Sequence, residues 1–177
     1  MKTYIYTNLH LPVVIIDKNK GRSSIQINAL KNILSSKPFN SLKSFADAYS
    51  VEYDRKEKKL KNFKLFIIMD TDDCSDQTRK DYISGRMFES SCLKEYIVPI
   101  YNSPNLEEVM IKAGIMTKKI PDAQKGSYYS KVFPINQDPF SNDTLEQIHT
   151  LSKKLQEVKE TNLLEYVNYC LSLINQV

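Results

Sequence analysis

The first sustained apolar stretch of the chain is Val13-Val14-Ile15-Ile16, bounded by Pro12 before it and Asp17-Lys18-Asn19-Lys20-Gly21 after it. A short β-branched run between turn-forming residues predicts a buried strand feeding a loop. Ser23 or Ser24 is placed to cap a helix running to about Ser35, with Ile27, Leu30, Ile33 and Leu34 along one face, and Pro38 stops it. Leu42, Phe45, Ala46 and Tyr49 recur at intervals of three and four, predicting a second helix over residues 42–49. Residues 63–69 are almost wholly apolar and predict a central strand buried on both faces.

Beyond that strand, Ser75 or Asp76 caps a helix expected to reach about Phe88 and to carry Tyr82, Ile83 and Met87. Residues 96–101 predict another strand, in which Pro99 points to an edge position or a bulge. A turn over 102–105 leads to a short helix over 106–113, ended by Gly114. Residues 115–143 hold Pro121, Gly126, Pro134 and Pro139 and read as loop-rich. From Thr144 to Gln176 the pattern is helical, with caps offered by Ser141-Asn142-Asp143-Thr144. Ile148, Leu151, Leu155 and Val158 form one stripe, and Leu163, Leu164, Val167, Leu171 and Ile174 form another after a break near Thr161-Asn162. Strand, loop and helix recur at least twice without an internal repeat. The expected class is therefore α/β: a mainly parallel sheet flanked by helices, in a single domain over residues 1–177 with a helical C-terminal tail.

Composition narrows the classes. With 41% hydrophobic and 26% charged residues, the 177-residue chain lies in the ordinary globular range and is large enough to bury a core without staples. Nothing approaches eighteen consecutive apolar residues, and Asn8, His10 and Pro12 interrupt any apolar leader, so neither a transmembrane helix nor a signal peptide is expected. Cys74, Cys92 and Cys170 are odd in number and widely spaced, which argues against a disulfide framework or a zinc ribbon and makes a cytoplasmic location the expectation. His10 and His149 are the only histidines. The net charge of +4 is mild. Its densest source, RKEKKLKNFK over residues 55–64, is either a solvated face or a phosphate-contacting patch.

The chemistry centres on Asp70-Thr71-Asp72-Asp73, directly after the most apolar strand. Ligands of open parallel sheets collect at the carboxyl ends of strands. Asp70 and Asp72 share one side of an extended chain, so both can reach one cation, and a hard divalent ion relieves their mutual repulsion. As a plain turn, the same aspartates would only cap the following helix. Asp17 follows the first strand, and Glu107 or Glu108 follows the strand over 96–101. Parallel neighbours would bring these acids to one sheet edge, where three or four carboxylates suit metal-dependent phosphodiester chemistry. An ordinary turn residue at 17 and a helix-dipole partner at 107 are the structural alternatives.

Strand-acid-helix, then strand-Asp-x-Asp, then an acidic helix start resembles the Toprim domain of topoisomerases, primases, OLD-family nucleases and RloB-like defence proteins. The segments that carry the resemblance are IIMDTDD (residues 67–73) and NSPNLEEVM (residues 102–110), within about residues 10–114. The second is similar to the Asn-Pro-x-x-Glu segment of RloB-like chains and the Leu-Glu segment of OLD-type chains. The resemblance implies Mg²⁺ or Mn²⁺ on Asp70 and Asp72, completed by Glu107 with Asp73 beside them. It also implies nuclease activity on nucleic acid, with a possible place in phage defence. The family's first acid is a glutamate, usually before glycine, that serves as general acid or base. Here Asp17 stands in that place, followed by Lys18, with Gly21 displaced.

Three rivals differ in testable features. A HAD-type phosphatase also has Asp-x-Asp after an apolar strand, but with a Thr or Val where this chain has Cys74. A metal-dependent glycosyltransferase would need a longer chain. A catalytically silent scaffold or interaction subunit would use the C-terminal helices to pair with a partner protein or a second copy. Tyr128-Tyr129 with Lys131 could stack on bases, or be an ordinary surface loop. No GxxxxGK[ST] loop is present, no Ser-His-Asp order is persuasive, and Cys74 reads as a packing residue.

Overall fold

Apolar side chains at helical spacing close to Ser caps dictate the first elements, and the computed structural model describes residues 23–121, 123–124, 128 and 142–174. The strand expected at 13–16 and Asp17 lie outside the described residues. Helix α1 spans Ser23–Leu34. It buries Ile27, with Leu30 and Leu34 packed beside it on Met69, Tyr82 and Phe88. Pro38 sits in a 3₁₀ turn, Lys37–Phe39, that ends the helical run and buries Phe39. Helix α2, Leu42–Tyr49, begins where Ser41 Oγ accepts from Ser44 N at 3.1 Å. Its buried Phe45 stacks at ring-centroid distances of 5.3 Å on Phe39 and 4.7 Å on Tyr49.

The basic run begins as a β-hairpin. Strands β1 (Tyr53–Asp54) and β2 (Lys59–Leu60) pair antiparallel, Tyr53 against Leu60 and Asp54 against Lys59. The Asp54 carboxylate accepts from Lys56 N at 2.8 Å and Glu57 N at 3.0 Å, an Asx-type arrangement that shapes the connecting turn. Those strands are only two residues long, too short for periodicity in the sequence to reveal.

Strands β3 (Leu65–Asp70) and β4 (Ile97–Asn102) form a parallel pair, with Leu65 N donating to Tyr96 O at 2.8 Å. A parallel pair needs a crossover. It is made by helix α3, Asp76–Ile83, and a 3₁₀ turn, Arg86–Phe88. The helix expected to reach Phe88 stops at Ile83 because Gly85 takes φ 75°, which breaks the helical path. β3 also departs from expectation: Ile68 is 47% exposed, so this strand is not covered on both faces. The crossover delivers Tyr82, whose hydroxyl lies 2.7 Å from Ile67 O and 3.0 Å from Ile100 O. Tyr82 therefore ties both strands from the helix side, and burial drives its phenol pKa upward, keeping the hydroxyl a donor. Its ring meets Phe88 edge-on at 5.9 Å.

The chain is mixed α/β with small sheets, and the described residues fall into two compact units, 23–101 and 102–174. The second unit is helical, with α4 (Leu106–Lys112), α5 (Asn142–Leu155) and α6 (Leu163–Ile174). α4 ends in a Schellman arrangement: Gly114 has φ 63°, its N–H bonds Ile111 O, and Ile115 N bonds Met110 O. α5 and α6 pack together, joined by Ser152 Oγ donating to Asn168 Oδ1 at 2.9 Å. Burial pushes the Cys170 thiol up to about 11, so it stays neutral. At the entry to α6 the buried Thr161 hydroxyl donates to Asn102 Oδ1 and accepts from Leu163 N, both at 3.0 Å. No helix among the described residues is long and apolar enough to cross a membrane.

Tyr82→Phe retains the ring packing and removes the donor from two strand carbonyls. It is expected to lower unfolding free energy by about 1–2 kcal/mol, read from urea denaturation. Gly114→Ala meets no atom within 4 Å at the new Cβ, so its cost is backbone strain alone. That cost is about 1 kcal/mol, visible as a fall of about 2–4 °C in a thermal melt.

Candidate functional site

The acidic turn is built by the end of β3 and the start of α3. Asp70 closes the strand and is half-buried, Thr71 turns inward to 1% exposure, and Asp72 and Asp73 face solvent. Asp72 Oδ1 accepts from Asp73 N at 3.0 Å, curling the chain toward the helix. Ser75 then caps α3, its Oγ accepting from Thr78 N at 3.2 Å and lying 2.8 Å from Thr78 Oγ1. Neither Asp70 nor Asp72 is the cap, so the capping alternative holds for Ser75 and not for these aspartates.

Arg79 is the counter-charge of this turn. Its Nη2 donates to Thr71 O at 3.0 Å and its Nη1 reaches Asp76 Oδ1 at 3.2 Å, while its buried Nε has no hydrogen-bond partner among the described residues. The guanidinium thus holds the backbone between the two aspartates and offsets part of their charge. Sequence reasoning passed over it. The visible signal was the Asp76–Arg79 spacing of three on one helix face.

Beside the turn lies a cleft of about 580 Å³, within the usual range for small-molecule sites. α1 supplies Asn28 and Lys31, the turn supplies Asp73 and Ser75, and the far side carries Asp81 and Arg86. Arg86 Nε lies 3.4 Å from Asp81 Oδ1, and Gln77 Nε2 donates to the same oxygen at 2.9 Å. Lys31 makes no ion pair among the described residues. Cys74 lines the cleft and packs on the Ile27, Met69, Tyr82 and Phe88 cluster, as expected of a packing residue.

Glu107 belongs to the second unit, in the first turn of α4, where its Oε1 accepts from Ile120 N at 2.6 Å. Glu108 beside it pairs with Lys119 at 2.6 Å. Both carboxylates tie residues 119–120 to the start of α4, which Asn105 caps by accepting from Glu108 N. Asp17, His10, Tyr129 and Lys131 lie outside the described residues, and His149 is exposed on α5. Among the described residues, no three His, Cys, Asp or Glu side chains form a group that could hold a metal ion.

No family model, curated protein or solved structure matches this chain.

Proposed function

We propose that the first unit is a Toprim-like domain whose Asp70–Asp73 turn binds Mg²⁺ or Mn²⁺ and serves phosphodiester chemistry on nucleic acid. The observation that carries this reading is position: three carboxylates leave the carboxyl end of a strand paired in parallel, where such sheets hold ligands. The donors suit the ion. Carboxylate oxygens are hard ligands, and Mg²⁺ commonly takes one or two of them while keeping waters and substrate phosphates in its shell. Asp70 and Asp72 would hold it without a third ligand from the same unit.

When bound, the ion would neutralise phosphate charge and acidify a coordinated water. The chain's own residues do the rest. Arg79 holds the Thr71 carbonyl and with it the spacing of the two aspartates. By the same resemblance, Asp17 would move the proton. A second reading, a catalytically silent scaffold, is favoured by the engagement of Glu107 with Ile120 N and of Glu108 with Lys119.

A thermal melt with and without millimolar Mg²⁺ or Mn²⁺ tests the proposal. Saturating metal should raise the melting temperature by about 5 °C, and Asp70→Ala should abolish that rise. No shift in either protein would sink the metal site and leave the scaffold reading in front. In metal-free buffer, Asp70→Asn combined with Asp72→Asn should raise the melting temperature by about 1–3 °C as carboxylate repulsion is removed. An unchanged or lower value would count against a crowded acidic turn.

A further inference from the structure

We propose that the hairpin formed by β1 and β2 is a separate nucleic-acid contact surface whose tip cations grip the phosphate backbone. The choice of nucleic acid as the polyanion rests on the function proposed above, whereas the positive surface itself does not.

Residues 55–59 read Arg-Lys-Glu-Lys-Lys, and all five are exposed. The acids nearest the tip are already engaged. Asp54 accepts from two turn N–H groups and pairs with Lys61 at 3.1 Å, while Glu52 lies 3.7 Å from the same ammonium. These bonds, the Glu57 N–H first, hold the Asp54 carboxyl below its ordinary range, so it stays charged and keeps Lys61 occupied. Arg55, Lys56, Lys58 and Lys59 make no ion pair among the described residues, leaving four cations opposed only by Glu57 at the tip.

The frame beneath them is fixed. Leu60 is 5% exposed in a core with Phe39, Phe45, Ala46 and Leu93, and its N–H donates to the Tyr96 hydroxyl at 2.9 Å. Lys58 takes φ 55°, a left-handed conformation that glycine or asparagine adopts more readily. The hairpin enters β3 at its start, while the acidic turn leaves it at its end. β3, six residues and about 20 Å long, lies between the hairpin and the acidic turn along the chain. A duplex covers that distance in about six base pairs.

The test uses the full chain in EDTA, with fluorescein-labelled 20-mers of single-stranded and duplex DNA and RNA, and anisotropy followed against salt. Replacing Arg55, Lys56, Lys58 and Lys59 together by Gln should weaken binding at least tenfold. It should also flatten the slope of log K against log salt by about 3. Lys58→Gly separates charge from folding: it should melt no lower than the parent, yet bind about two- to fourfold more weakly. A parent protein whose melt ignores Mg²⁺ and Mn²⁺, yet whose oligonucleotide binding falls in the hairpin variants, would remove the catalytic reading alone. Unchanged affinity and salt slope in both hairpin variants would overturn the proposal. So would a parent protein that ignores every oligonucleotide but binds anionic vesicles.

Discussion

Two adjacent parallel strands cannot stand without a crossover, and here the crossover helix supplies the bond that holds them. Tyr82 descends from α3 onto the sheet and offers one hydroxyl to Ile67 O and Ile100 O, one carbonyl from each strand. Its ring and those of Phe39, Phe45, Phe63, Phe88 and Tyr96 occupy two neighbouring clusters, and Leu34 and Ile97 touch both. The strand ends inherit their positions from this arrangement. Because β3 is pinned under α3, the turn joining them must emerge at the carboxyl end of the strand, and it carries Asp70, Asp72 and Asp73 with it.

Charge in the first unit is organised along the same strand. Cations crowd the hairpin before β3, and carboxylates crowd the turn after it. Local acids and bases settle the remainder at each end: Lys61 answers Asp54 and Glu52, while Arg79 answers the acidic turn through Thr71 O and Asp76. Each charged end therefore keeps an excess of one sign, the condition under which a surface recognises an ionic partner.

The second unit uses its acids differently. Glu107 and Glu108 sit in the first turn of α4, where the helix dipole favours negative charge, and each holds part of the segment that follows the helix. Glu160 pairs with Lys112 at 2.5 Å, and that bond holds its carboxyl below the ordinary range. Its backbone oxygen meanwhile accepts from Ser103 N, so the chain before α6 is bound to the turn before α4.

Periodicity and caps alone determined much of this protein. The α2 bounds, the Ser75 cap, the strand expected over 96–101 and found at Ile97–Asn102, and the Gly114 stop all follow from side-chain spacing and local backbone preference, which act within a few residues. The acidic turn was equally legible, because three aspartates after an apolar run need no partner to be noticed. What escaped depended on residues distant in sequence. The two-residue strands of the hairpin exist because Leu60 finds Tyr96 and a core made by α2. The exposure of Ile68 reflects what covers β3, which no residue of β3 encodes. Arg79 became part of the site only when the chain folded its guanidinium back onto Thr71. Glu107 and Ile120 share the second compact unit, and the bond from Ile120 N to the Glu107 carboxylate is a contact that only the path of the folded backbone decides.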